Sequence, residues 1–125
     1  MNLLYSIGQI LVAGMAVLHV YILVLEMFLW TRPAGLRAFR QSLENAMISK
    51  TLAANQGLYN GFLAAGLFWG LFLGTHGLPQ ENFFLGCILL AGIYGATTVG
   101  RKILFIQAIP AAISLTIINL ASCIH

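Results

Sequence analysis

Residues 3–30 read LLYSIGQILVAGMAVLHVYILVLEMFLW, and this long apolar stretch decides the fold class. As a helix it would extend about 42 Å, more than the roughly 30 Å of hydrocarbon in a bilayer, so it must tilt or protrude. A backbone embedded in lipid must satisfy its own hydrogen bonds, so only a helix or a closed β-barrel can cross a bilayer. The chain has four apolar stretches in all, which are too few to close a barrel, so this one is predicted to be a helix. We therefore predict a first membrane-spanning helix over residues 3–30, which is retained because no cleavage site of a signal peptide follows it.

Three further apolar stretches, at about residues 51–74, 82–101 and 103–122, are each long enough to cross a bilayer. Hydrophobic residues make up 60% of the 125-residue chain and charged residues 7%, against roughly 45–50% and 25% in a soluble globular domain. This composition excludes a soluble enzyme, a nucleic-acid-binding domain and a disordered segment. The sequence predicts one all-α domain over residues 1–125, an integral membrane four-helix bundle, with a short hairpin at Pro79.

The basic residues are placed asymmetrically along the chain. All of them fall in the loops after the first and third spans: Arg32, Arg37, Arg40, Lys50, Arg101 and Lys102. Under the positive-inside rule both loops are cytoplasmic, so both termini face outward.

The first cytoplasmic loop has a helical pattern of its own. Over residues 34–47, Leu36, Phe39, Leu43 and Met47 fall on one side and the charged residues on the other, which predicts an amphipathic helix at the membrane interface that begins near Pro33. Arg40 and Glu44 would pair one turn apart on it. It could act as a lid or a basic surface for anionic lipid heads, or could simply connect two spans.

Two ionisable residues stand inside the first span. His19 and Glu26 are seven residues apart and so share one face, with His19 near the predicted midplane and Glu26 nearer the cytoplasm. A carboxylate at full depth costs roughly 2.5–3.5 kcal/mol, so such residues normally face protein or water and are functional candidates. Alternatively, Glu26 could extend to the interface beside Arg32, and His19 could be a neutral core imidazole.

The second span begins with the polar residues Asn55, Gln56, Tyr59 and Asn60, at the predicted depth of Glu26. On the other side of that span, Gly57 and Gly61 form a GxxxG pair that allows close helix approach. Tyr94 of the third span and Gln107 of the fourth lie toward the cytoplasm as well. Polar groups on all four spans at matching depth predict one shared pocket that is open to the cytoplasm. The alternative is a hydrogen-bonded network that only holds the bundle together.

No metal site is predicted, since His19 and Glu26 are too far apart for easy chelation and no HExxH or CxxC motif is present. Cys123, His125 and His76 lie on the predicted outer side but near loops and a terminus. Cys87 and Cys123 are predicted to remain unpaired, because they should differ by roughly 10 Å in height.

The quoted residues also carry a resemblance to a known family. They are the segments His19 to Trp30, Asn55-Gln56-Gly57-Leu58-Tyr59-Asn60-Gly61-Phe62 and Gly92-Ile93-Tyr94-Gly95, together with Lys102, Gln107 and Pro110-Ala111. In these residues the sequence resembles the small bacterial membrane proteins catalogued as domain of unknown function 1304. The resemblance runs nearly end to end and implies a four-helix bundle in the inner membrane. It supplies no mechanism.

Three functions remain open at this point. The first is a binder or carrier of a small lipophilic or amphipathic molecule that uses Glu26, His19, Asn55, Gln56, Tyr59, Asn60, Tyr94 and Gln107. The second is a membrane enzyme that uses Glu26 and His19 as acid and base on a lipid-like substrate. The third is a structural or accessory subunit. Membrane lipid is the expected partner and nucleic acid is not, a homo-oligomer is left open, and the sequence names no cofactor.

Overall fold

A computed structural model describes residues 2–124 and shows an all-α chain, with no strand in that range. Five α-helices follow one another: α1 (Leu3–Met27), α2 (Pro33–Phe39), α3 (Leu43–Phe72), α4 (Leu78–Thr98) and α5 (Ile109–Cys123). A 3₁₀ turn, Gly74–Gly77, precedes α4, and a π-helical segment, Leu104–Ala108, leads into α5. The all-α prediction is confirmed.

Two of the helical segments are long and apolar enough to cross a membrane, namely Leu3–Met27 and the continuous helix Leu104–Cys123. They correspond to the first and fourth predicted spans. The other two spans, the bundle and its insertion in a membrane stay predictions.

The region predicted as one interfacial helix is divided differently in the structure. Helix α2 ends at Phe39, and the backbone of the next residue, Arg40, is left-handed with φ of 49°. Ser42 then starts α3, because its Oγ accepts a hydrogen bond from the Asn45 backbone N–H at 3.2 Å, as an N-capping serine does. Residues 43–47 therefore continue directly into the second apolar stretch. Arg40 and Glu44 do not share a helix, so the predicted one-turn pair does not form.

Proline 110 changes the local hydrogen bonding of the fourth apolar stretch. It lies in the first turn of α5, and its missing N–H interrupts the regular ladder. Just before it, the Ile109 N–H reaches back five residues to the Leu104 carbonyl, which is the π-helical pattern. The helix is therefore widened by one turn of π-helix on the N-terminal side of Pro110.

Contacts divide the chain into two compact units. The central unit, Val17–Ala64, contains the second half of α1, α2 and most of α3. The terminal unit contains the chain up to Ala16 and from Ala65 onward, with the start of α1, the end of α3, and α4 and α5. Each unit has its own buried carboxylate, Glu26 in the central unit and Glu81 in the terminal unit.

Candidate functional site

The central unit joins two of the predicted site residues directly. Asn60 Nδ2 of α3 donates a hydrogen bond to Glu26 Oε1 of α1 at 2.8 Å, and both side chains are 6% exposed. The same amide nitrogen lies 3.2 Å from the Gln56 backbone carbonyl one turn earlier, which fixes the amide orientation. A buried carboxylate is costly without a donor, so this bond accounts for the position of Glu26.

Close approach of the two helices makes the bond possible. A Cβ on Gly57 would lie 2.6 Å from Met27 Cγ and 3.0 Å from Glu26 Cβ, and one on Gly61 would lie 2.6 Å from Leu23 Cδ1. The predicted close-packing role of Gly57 and Gly61 is confirmed. Their placement on the side of the helix away from Asn60 is wrong, because Gly57 and Asn60 are three residues apart and both face α1.

The other predicted site residues are placed differently from Glu26 and Asn60. His19 is fully buried on α1, two turns before Glu26. Asn55, Gln56 and Tyr59 are exposed on α3, so their side chains add no buried contact to the Glu26–Asn60 bond. Tyr94, which is exposed, and Gln107, which is half-buried, belong to the terminal unit. The shared pocket that would unite them with Glu26 stays a prediction.

An open groove lies beside the end of α1 in the central unit. It has a volume of about 310 Å³ and is lined by Met27, Phe28, Trp30, Thr31, Lys50, Thr51 and Ala54. The lining combines aromatic and aliphatic walls with two hydroxyls and one ammonium group. The buried pair adjoins it, because Met27 of the groove and Glu26 both lie against Gly57.

The groove wall at Trp30 is held by specific contacts. Trp30 Nε1 donates to Ser49 Oγ at 3.1 Å, Ser49 Oγ in turn donates to the Asn45 carbonyl at 2.8 Å, and the Trp30 ring packs on Phe39 with centroids 4.7 Å apart. The chain between α1 and α2 is folded tightly, since a Cβ on Gly35 would overlap the Leu29 backbone. Sequence reasoning missed Lys50 and Trp30 as groove residues, because their sequence separation gives no sign that they meet.

Sequence reasoning also missed Glu81 as a buried residue. Glu81 lies in the first turn of α4, just before the residues 82–101 predicted to span the membrane, and is 1% exposed. Gln9 Nε2 donates to its Oε2 at 3.1 Å.

The described residues contain no group of three or more histidine, cysteine or acidic side chains that could hold a metal ion. His125, which the sequence placed on the outer side with Cys123 and His76, lies outside them. Cys87 and Cys123 are free thiols.

Comparison with known proteins gives a family and no activity. Residues 12–119 match the model of a family described as "Protein of unknown function (DUF1304)". The chain is 33% identical over 90 residues to the uncharacterized protein YpaA of Lactococcus lactis subsp. lactis (strain IL1403), covering 70% of this chain and 75% of that protein. No solved structure matches the chain.

Proposed function

The chain belongs to the DUF1304 family, and from its own residues we propose that it is a multi-pass protein of the bacterial inner membrane that binds or carries a small amphipathic molecule in the central-unit groove. The observation that carries this proposal is the groove itself, which joins apolar walls to Lys50 beside a buried polar pair.

Membrane insertion is supported by the apolar surface of the helices. Large hydrophobic side chains are exposed on every long helix; for example, Phe72 is 89% exposed and Leu90 is 70% exposed. Such surface is unfavourable in water at about 25 cal/mol per Å² and is accommodated in lipid. In the proposal α3 and α4 also cross the bilayer. The polar residues Asn55, Gln56 and Asn60 lower the hydropathy of α3. Asn55 and Gln56 directly follow Ala54, which lines the groove.

The charge distribution supports an orientation with the groove end of the central unit in the cytoplasm. Arg32, Arg37, Arg40 and Lys50 all belong to the central unit, so the groove end of that unit would face the cytoplasm. In a background with Cys87→Ser and Cys123→Ser, we expect Arg37→Cys and Lys102→Cys to react with a membrane-impermeant maleimide only after cells are lysed. We expect His76→Cys to react in spheroplasts. Labelling of Arg37→Cys in intact spheroplasts would contradict this orientation.

The lining of the groove supports one class of ligand. The ammonium group of Lys50 suits an anionic head group, which the Thr31 and Thr51 hydroxyls can also hydrogen-bond. Met27, Phe28 and Trp30 suit a hydrocarbon chain. The proposed ligand is therefore an anionic amphiphile of small size, with its head group at the cytoplasmic surface, where cationic side chains are most favourable.

Trp30 provides a direct measurement of binding, because the chain has only two tryptophans. In a Trp69→Phe variant reconstituted in nanodiscs, 11-bromoundecanoate should quench Trp30 fluorescence saturably, since bromine quenches on contact. Lys50→Gln should raise the dissociation constant at least about tenfold, the effect of losing one charge-assisted hydrogen bond. The matched control is Lys102→Gln, which removes the only other lysine and lies outside the groove.

A second control separates binding from partition into lipid. Trp30→Phe leaves Trp69, which does not line the groove and is 54% exposed, to report quenching from the bulk bilayer. Linear quenching of equal strength at Trp30 and Trp69, or an unchanged dissociation constant in Lys50→Gln, would overturn the proposed function.

A further inference from the structure

The terminal unit contains a second cavity, which is independent of the groove and of the function proposed for it. Its volume is about 190 Å³. It is lined by Tyr5, Gln9, Gly74, Thr75, Leu78, Glu81, Ile118 and Ser122. Residues from α1, α4, α5 and the 3₁₀ turn thus converge on one space.

Glu81 is the feature of this cavity that needs explanation. Its side chain is 1% exposed, and Oε2 accepts the hydrogen bond from Gln9. Its other oxygen, Oε1, is buried and has no hydrogen-bond partner among residues 2–124. A buried carboxylate oxygen without a donor is costly, and it is the natural acceptor for a ligand that brings N–H groups.

Among the described residues of the same unit, the cationic side chains do not line the cavity. Arg101 and Lys102 follow the far end of α4, and the helix between Glu81 and Thr98 rises about 25 Å. His76 is exposed on the 3₁₀ turn and is not part of the lining. No positive charge from these residues therefore compensates Glu81 within the cavity.

We propose that this cavity binds a small organic ammonium ion, with its N–H groups on Glu81 Oε1 and its hydrocarbon part on Leu78 and Ile118. The Ser122 hydroxyl can accept a further N–H, since its own hydrogen is donated to the Asn119 carbonyl at 2.8 Å. An alkylammonium ion has three or fewer N–H donors, which suits a site whose acceptors are Glu81 Oε1 and the Ser122 hydroxyl. The apolar walls favour an alkylammonium over a hydrated metal ion.

The test uses n-butylammonium chloride with the full chain in detergent and follows the thermal midpoint of unfolding. We expect saturable stabilisation that sodium chloride at the same concentration does not reproduce. Glu81→Gln should raise the dissociation constant at least about tenfold through the lost charge. The matched control is Glu44→Gln, which removes an exposed carboxylate in the first turn of α3 and should leave binding unchanged.

If Glu81→Gln does not fold, a second variant tests whether butylammonium binds in this cavity. Ser122→Phe places a large ring at an exposed position of α5 that borders the cavity, and it should weaken butylammonium binding at least about tenfold because it fills the ligand volume while Glu81 is retained. Equal stabilisation by sodium, no stabilisation of the wild-type chain, or unchanged binding in both variants would each overturn the proposal.

Discussion

Asn60→Asp should lower the free energy of unfolding by about 3–5 kcal/mol, the range found when a buried charge loses its partner. The substitution replaces the donor that lies 2.8 Å from Glu26 Oε1 with a second carboxylate of nearly the same shape. Two buried carboxylates at that distance repel each other, so the folded pair must bind a proton that the unfolded chain releases at neutral pH, and this proton uptake lowers stability. The effect is measurable as a shift in a mixed-micelle denaturant titration of the purified chain.

Two variants show whether the loss comes from this pair. Asn45→Asp makes the same chemical change at an exposed position in the first turn of α3, where a negative charge is favourable, so it should change stability by less than about 0.5 kcal/mol. The double variant Glu26→Gln with Asn60→Asp exchanges donor and acceptor and should recover most of the loss. A double variant as unstable as Asn60→Asp would show that the pair is not what holds α1 against α3.

The fold class follows from the sequence because composition leaves few choices for the chain. A chain with nine charged side chains among 125 residues is predicted to lie in lipid, and apolar stretches of about 20 residues are typical of helices that cross it. Element ends are harder to predict, because they depend on single residues. The amphipathic pattern over residues 34–47 is continuous and gives no sign of a break. In the structure the left-handed backbone of Arg40 ends α2, and the hydrogen bond accepted by Ser42 Oγ starts α3.

Glu26 and Asn60 differ from the other predicted site residues in the helix face on which they lie. Depth along a helix is readable from sequence, so Glu26 and Asn60 could be placed at one level. The direction of each side chain depends on which face meets the partner helix, and here the small residues Gly57 and Gly61 select that face. Asn60 lies on it, whereas Asn55 and Tyr59 do not and are exposed.

The burial of Glu81 could not be predicted from the sequence. A glutamate at the edge of an apolar stretch is ordinarily a solvated loop residue. Its burial here comes from contacts distant in sequence, with Gln9 donating from α1 and Gly70 of α3 leaving space for its side chain. Neither contact leaves a periodic signal, so only the folded arrangement reveals that the terminal unit contains a buried carboxylate.

Gly77→Ala should destabilise the terminal unit by about 3 kcal/mol, at the upper end of overpacking effects. A Cβ at Gly77 would overlap the carbonyl oxygen and carbon of Gly70, which are backbone atoms that no rotamer change can move away. The backbone of Gly77 has φ of −84°, which any residue adopts, so the penalty comes from the close approach of α3 to the 3₁₀ turn and not from strain. The free energy of unfolding in mixed micelles measures it.

Gly86→Ala is the matched control, because it makes the same change on α4 at a position where a Cβ meets nothing within 4 Å. Alanine there should be neutral or stabilise the helix by about 0.5–1 kcal/mol.

Gly77→Ala should also weaken butylammonium binding, since Gly70, Gly77 and Glu81 pack against one another and a shift of the turn displaces the carboxylate. If Gly77→Ala were as stable as Gly86→Ala, α3 would not approach the turn as closely as described, and the burial of Glu81 would lose its structural basis.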